Sequence, residues 1–241
     1  MKVLILAGGK GRRLRPYTTI IPKPLMPIGE KAILEIIIDQ LKSYGLKDLI
    51  MATGYLGELI ATFFGDGGRF GVKIEYTKEK EPLGTAGPLS LVKSGIDDTF
   101  LMMNGDILST IDYNELLKFH KSKGGILTVA LNKREVKIDF GITNVNNDRV
   151  VEYIEKPVIN HLVSMGIYVL ENRVFDYIKP GEYMDLPDLV KKLIKEGETV
   201  NGYVFDGYWL DIGRYEDCNK ANEDIEDVYS KLFNIQTHKV F

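Results

Sequence analysis

The stretch that most constrains this chain is its first thirty residues, where the apolar run Val3-Leu4-Ile5-Leu6-Ala7 passes directly into Gly8-Gly9-Lys10-Gly11-Arg12-Arg13-Leu14. A short continuous apolar run closed by glycine predicts a buried strand. Pro16, Pro22, Pro24 and Pro27 follow, and they exclude both regular helix and central sheet from that part of the chain. The pattern is a strand whose carboxyl end opens into a long ordered loop, the place where open α/β sheets bind their ligands. Glycines let backbone N–H groups turn towards an anion, and Arg13 and Lys23 can add full positive charges. The expected guest is a polyphosphate. Neither familiar phosphate motif fits: no Gly-Lys-Ser/Thr is present, and Leu14 stands where the dinucleotide fingerprint needs a third glycine. A lone Gly-Gly-x-Gly reads equally well as a turn with solvated basic side chains.

Downstream, Ile33, Leu34, Ile37, Ile38, Leu41 and Tyr44 recur at helical spacing, and Gly45 marks the helix end. Leu49-Ile50-Met51-Ala52 predicts a second buried strand, and Leu56, Leu59, Ile60, Phe63 and Phe64 a second amphipathic helix. Val72, Ile74 and Tyr76 alternate as an edge-like strand, and a helix is expected through Leu89 and Val92. Phe100-Leu101-Met102-Met103 reads as a central strand ending at Asn104-Gly105-Asp106. Asp112 and Glu115 form an approximate capping box for a helix through Leu116 and Phe119. Strands are then expected at 126–131, 142–145, 150–154 and 163–170, followed by two helices, the second through Leu186, Leu189, Val190, Leu193 and Ile194. A strand at 200–205 and a last helix from about Arg214 to Tyr229 complete the order. Strand alternating with helix implies an α/β fold with a parallel sheet. The expectation is a single domain over 1–241, with a C-terminal helix and tail over about 214–241.

Composition narrows the partners. A chain of 241 residues with 44% hydrophobic content can bury a real core. Its 34 acidic residues nearly balance 31 basic ones and the pI is near 5.7, which gives no basic footprint for nucleic acid. Cys218 is the single cysteine and cannot form an internal disulfide. Only five apolar residues precede the glycines, too few for a signal peptide or membrane span, so the cytoplasm is expected and no membrane partner. His120, His161 and His238 show no ligand spacing and read as structural or surface residues. A homo-oligomer is left open.

Two aspartates stand out. Asp106 follows a buried strand, so its carboxylate faces the same crevice as the first loop, although alone it reads better as a turn residue. Asp211, in Trp209-Leu210-Asp211-Ile212-Gly213, sits in an apolar setting where an unpaired carboxylate is costly. Carboxylates opposite a triphosphate suit Mg²⁺, which takes one or two of them together with phosphate oxygens and water.

The string from Leu6 to Ile28, Leu-Ala-Gly-Gly-Lys-Gly-Arg-Arg-Leu-Arg-Pro-Tyr-Thr-Thr-Ile-Ile-Pro-Lys-Pro-Leu-Met-Pro-Ile, resembles the signature of the sugar-1-phosphate nucleotidyltransferases, and the likeness extends from Lys2 to about Asp217. That resemblance implies a Rossmann-like, doubly wound, mostly parallel sheet with helices on both faces, of the nucleotidyltransferase type. It implies Mg²⁺ as cofactor, and a nucleoside triphosphate and a sugar 1-phosphate as partners. By the same likeness Arg13 and Lys23 are catalytic; Leu6, Ala7, Gly8, Gly9, Gly11, Arg13, Glu79, Gly84 and Thr85 contact the nucleotide. Asn104, Gly141, Glu155, Lys156 and Gly166 contact the sugar phosphate, and Asp106 and Asp211 bind the metal. Arg12 departs from the family's usual small hydroxyl residue, and Ser164-Met165-Gly166 from an asparagine-containing element.

The segment Glu79 to Gly87 resembles the family's base- and sugar-contacting loop, in its mannose-1-phosphate guanylyltransferase-like form. Members that use uracil or thymine often carry glutamine where this chain has Glu79. An ionised carboxylate only accepts hydrogen bonds, which suits the N1–H and N2–H₂ donors of guanine; a solvated charge is the other reading. The implied reaction is GTP plus mannose 1-phosphate giving nucleotide sugar and pyrophosphate. The alternatives are dTTP, UTP or CTP with a glucose, heptose or amino-sugar 1-phosphate, and a catalytically silent nucleotide-sugar-binding regulatory subunit. Nothing after Gly213 has a hexapeptide period, so acetyltransfer and repeat-mediated trimerisation are not expected.

Overall fold

A computed structural model describes residues 1–233 of the chain. In chain order its elements are β1 (Lys2–Ala7), β2 (Pro27–Ile28), β3 (Lys31–Ala32), α1 (Ile33–Ser43), β4 (Asp48–Thr53), α2 (Gly57–Phe64), β5 (Lys73–Lys78) and β6 (Phe100–Asn104). They continue with β7 (Ile107–Ser109), α3 (Tyr113–Lys123), β8 (Leu127–Lys137), β9 (Ile142–Asn146), β10 (Arg149–Ile154) and β11 (Val158–Leu170). Last come α4 (Leu186–Lys195), β12 (Val200–Phe205), β13 (Trp209–Asp211) and α5 (Tyr215–Leu232).

Seven strands form one sheet in the order β12-β8-β11-β6-β1-β4-β5. β6, β1, β4 and β5 run parallel and β12 is parallel to β8, whereas β11 is antiparallel to both of its neighbours. The sheet is thus mostly parallel, as the alternating pattern predicts. Side chains of β1 divide by the strand period of two. Val3, Ile5 and Ala7 enter the core shared with α1, α2, α3 and α5, while Leu4 enters the core shared with α4 and the turns at 86–96 and 174–178. Both faces of β1 are covered, which explains why it is apolar from Val3 to Ala7. Each fully buried Leu or Ile in these layers stabilises the fold by roughly 1.5–3 kcal/mol relative to exposure.

The differences from the expected pattern have local causes. The helix expected through Leu89 and Val92 is two 3-10 segments, Gly87–Leu91 and Lys93–Gly95, because Gly87-Pro88 and Gly95 leave too few residues to propagate an α-helix. The first of the two helices expected before β12 is likewise 3-10, Asn172–Tyr177. β8 and β11 run on to Lys137 and back from Val158, well past the apolar alternation, and their outer halves are held mainly by the paired backbone ladder. Only half of the capping box forms at α3: the Asp112 carboxylate accepts from Asn114 N at 2.8 Å and Glu115 N at 3.1 Å, while Glu115 turns to Lys118. His120 is buried between Thr128 Oγ1 at 2.7 Å and Glu171 Oε1 at 2.9 Å, a structural clamp. His238 and the end of the tail lie outside the described residues. Among those residues no helix is long and apolar enough to cross a membrane.

Candidate active site

β1 and β6 lie side by side with Leu6 opposite Asn104, so the loops leaving their carboxyl ends start together. β4 pairs with the other edge of β1, so the winding reverses here, and the crevice above such a switch point is where doubly wound sheets bind ligands. Gly105 N donates to Leu6 O at 2.9 Å. On the opposite side Tyr55 N donates to Gly8 O at 3.3 Å, and a Cβ on Gly54 would meet Gly8 O at 3.0 Å. Gly8 and Gly54 therefore allow the ends of β1 and β4 to close on one another.

The proline-rich loop is built of three short 3-10 turns, Arg12–Leu14, Tyr17–Thr19 and Lys23–Leu25. Leu14, Thr18, Pro24 and Met26 are buried and anchor it, leaving Gly9, Lys10, Arg12 and Arg13 exposed. Gly11 takes a left-handed φ of 55°, and its carbonyl accepts from Thr18 Oγ1 at 2.8 Å. Tyr17 stacks on Tyr215 with ring centroids 6.0 Å apart, and Tyr55 Oη donates to Thr19 O at 3.1 Å. These contacts tie the loop to α5 and to the turn after β4.

Lys23 reaches from the last of these turns to an ion pair with Asp106 Oδ2, and its Nζ lies 3.8 Å from Asp211 Oδ1. The two aspartates are brought together by a short antiparallel ribbon, β7 with β13, in which Ile107 faces Asp211 and Ile212 N donates to Asp106 O at 3.0 Å. Asp106 Oδ1 is buried with no hydrogen-bond partner. Burial pushes the Asp106 carboxyl above the ordinary carboxylate range, against the opposing pull of the Lys23 ammonium. Asp211 is more open, with 48% of its side chain exposed. Arg13 joins the group from the side: a Cβ on Gly213 would lie 2.7 Å from a guanidinium nitrogen of Arg13.

Glu79 stands beyond Gly8, its Oε1 3.0 Å from where a Gly8 Cβ would be. Its Oε2 accepts from Leu83 N at 2.9 Å. Burial raises the carboxyl above its ordinary value, and the Leu83 N–H partly offsets that rise. Gly84 and Thr85 have structural partners. Thr85 N donates to Asp185 Oδ1 at 3.1 Å and Thr85 Oγ1 accepts from Leu186 N at 2.7 Å, which fastens the loop to the start of α4. Gly84 has a φ of 79°, and a Cβ there would sit 2.5 Å from Met184 O. Gly84→Ala is expected to destabilise the protein by roughly 1–3 kcal/mol in denaturant unfolding.

The residues assigned to the sugar phosphate fall into two groups. Asn104 lies against Gly166, whose φ is 72° and whose Cβ would meet Asn104 Nδ2 at 2.6 Å. Gly166 occupies the register shift between Ser164 and Tyr168 in β11. Gly141 and Glu155 meet through Tyr153: its phenol lies where a Cβ on Gly141 would be, and its Oη donates to Glu155 Oε2 at 2.9 Å. Lys156 has a left-handed φ of 44°, backbone strain of the kind that gathers at functional positions. No ion pair holds it among the described residues. Sequence reasoning missed Gly54, Tyr55, Tyr153 and the role of Gly213. Gly54 had a signal, since it closes β4 as Gly8 closes β1.

A glycine- and cation-rich loop over a switch point, with two carboxylates facing it, defines a phosphate-handling α/β protein. The family profile described as nucleotidyl transferase matches residues 2–228, and the chain belongs to that family. It is 35% identical to the UTP–glucose-1-phosphate uridylyltransferase of Synechocystis, over 92% of this chain and 62% of that protein. It is 34% identical to the mannose-1-phosphate guanylyltransferase of Mycobacterium tuberculosis, over 92% of this chain and 64% of that one. The chain therefore spans under two thirds of the length of these curated relatives. A Bacillus anthracis crystal structure described as a candidate glucose-1-phosphate thymidylyltransferase in complex with a sucrose superposes with a TM-score of 0.76 at 28% identity, over 94% of this chain and 96% of that one.

Proposed function

We propose that this protein transfers a nucleoside monophosphate from a nucleoside triphosphate to a sugar 1-phosphate, releasing pyrophosphate, with GTP and mannose 1-phosphate as the preferred pair. The observation that carries the reading is the convergence of Lys23, Asp106 and Asp211 beneath the loop after β1. The carboxylates fit Mg²⁺: Asp106 Oδ1 is buried without a partner, and a hard cation needs only one or two protein carboxylates when phosphate oxygens complete its shell. Bound there, Mg²⁺ neutralises phosphate charge and orients both reactants.

The chain's own groups supply the rest. A phosphate monoester carries about −1.5 to −2 charge at neutral pH, so the nucleophile is already ionised and no general base is required. The obstacle is repulsion between anions. Arg13 and the amides of Gly8, Gly9 and Gly11 neutralise the triphosphate, with Leu6 and Ala7 fixing the backbone beneath them. Lys23 serves the α-phosphate, and Lys156, with Glu155, Gly141, Asn104 and Gly166, serves the sugar phosphate. A sugar-phosphate oxygen attacks the α-phosphorus in line, the bond to the β-phosphate oxygen breaks, and pyrophosphate leaves with its electron pair.

Three relatives name three different bases, so overall similarity does not choose the nucleotide. Glu79 carries that choice, because a desolvated acceptor beside Gly8 pairs with guanine donors and repels the O4 of a pyrimidine dione. We also read 1–241 as one nucleotidyltransferase domain with a C-terminal helix and tail from about 214, acting in the cytoplasm, where nucleoside triphosphates and sugar phosphates are made. Pyrophosphate release with Mg²⁺, across GTP, UTP, dTTP and CTP crossed with sugar 1-phosphates, tests the proposal. A sharp maximum with GTP and mannose 1-phosphate is expected; a maximum with another base overturns the role of Glu79, and no release with any pair overturns the activity.

A further inference from the structure

The ion pair at the centre of the site joins two groups that the proposed reaction needs apart. Lys23 is assigned to the α-phosphate and Asp106 to the cation, yet the ammonium lies on Asp106 Oδ2 and 3.8 Å from Asp211 Oδ1. Only 12% of the Lys23 side chain and 20% of the Asp106 side chain are exposed, so neither is well hydrated in this position. One ammonium against two carboxylates leaves a single net negative charge, and Asp106 Oδ1 still lacks a partner.

We propose that Lys23 is the resident cation of this site: its ammonium holds the carboxylates of Asp106 and Asp211 until a metal-chelated triphosphate arrives, so that the divalent cation enters as the metal–nucleotide complex and not as the free ion. The inference rests on the proposed function for the identity of the substrate. A free divalent ion approaching Asp106 meets the positive charge of Lys23 at contact distance. To displace it, the ion must also leave a mostly buried ammonium without an anionic partner, which is costly. A metal–triphosphate complex brings the replacement partner with it. The phosphates receive Lys23 as the metal takes the carboxylates, so the ammonium is never left without an anionic partner during the exchange. Lys23 sits at the foot of the loop, between the buried Pro22 and Pro24, so the backbone is fixed and only the side chain has to swing.

The test uses Mn²⁺ alone, followed by the loss of the free-ion paramagnetic resonance signal as protein is added, and needs no turnover. The wild-type protein is expected to bind Mn²⁺ weakly by itself and tightly in the presence of a non-hydrolysable GTP analogue. Lys23→Met is expected to tighten binding of Mn²⁺ alone by about tenfold or more, since a full positive charge in contact with the site is removed, and Asp106→Asn in the same background is expected to abolish the gain. Lys23→Gln provides the same comparison if the methionine variant folds poorly. Equal affinity for Mn²⁺ alone in wild type and variant overturns the proposal, as does the absence of Mn²⁺ binding at these aspartates in every protein. Pyrophosphate release by the wild type is read separately. An active enzyme whose Lys23 variants bind Mn²⁺ no better refutes the resident cation alone.

Discussion

Asp106→Asn is expected to lower pyrophosphate release by about a thousandfold, while the circular dichroism spectrum is unchanged and the thermal midpoint moves by no more than a few degrees. Losing one preorganised electrostatic group at the reacting centre costs about 10²–10³ in rate, and this carboxylate is also assigned the cation that neutralises both phosphates. Asparagine has the same shape and keeps one carbonyl oxygen, so the turn between β6 and β7 is preserved. The effect on stability follows from the titration. Burial raises the folded-state pKa of Asp106 above its ordinary 3.8. Protonation therefore favours the folded state, and ionisation costs stability as pH rises through the folded value. At neutral pH the neutral amide removes that cost, which offsets the loss of the Lys23 ion pair. Steady-state rates of pyrophosphate release with denaturation curves on the same samples check both halves. Near-wild-type turnover removes Asp106 from the mechanism.

The sequence made the frame of this site legible and left its closure obscure. β1, α1, β4 and α2 declare themselves because a strand buried on both faces must be apolar throughout and an amphipathic helix must repeat at 3.6. The loop after β1 was readable as a loop because proline and glycine forbid the alternatives, but nothing in their spacing encodes the three 3-10 turns, which depend on Leu14, Thr18 and Met26 finding the core. Asp106 and Asp211 stood out singly by their settings, and family likeness paired them, but nothing in the pattern showed how they meet. The ribbon that joins them is three residues on each strand, too short to leave a period of two. Arg13 against Gly213 joins segments far apart in the chain, and Tyr153 reaches Gly141 across the β9–β10 hairpin; in both, a missing Cβ matters only once the fold has placed its neighbour. Thr85 shows the converse. Its motif was found, yet its side chain and amide hold Asp185 and Leu186, a structural duty that the motif alone did not disclose.

Glu79→Gln is expected to raise the KM for GTP by about tenfold or more, leave kcat with GTP nearly unchanged, and improve use of UTP or dTTP. A hydrogen bond to a charged acceptor contributes roughly 1.5–3 kcal/mol, and an interaction made equally in the ground and transition states appears in KM alone. The amide restores a donor that can meet the O4 of a pyrimidine dione, so the preference shifts and the site stays functional. Acidity gives an independent signature. Burial beside Gly8 raises the Glu79 carboxyl above its ordinary 4.5, with the Leu83 N–H opposing. As pH falls through that raised value the acceptor is protonated and the wild-type KM for GTP climbs; the glutamine variant lacks this limb because its amide does not titrate. The sign for folding is opposite to the sign for binding. Ionised Glu79 costs stability above its folded pKa, so Glu79→Gln is expected to melt at or above the wild-type temperature at neutral pH while binding GTP more weakly. A residue that served only to pack the 79–87 loop would lose stability and nucleotide affinity together. Unchanged GTP affinity across this pH range in both proteins leaves Glu79 a solvated charge.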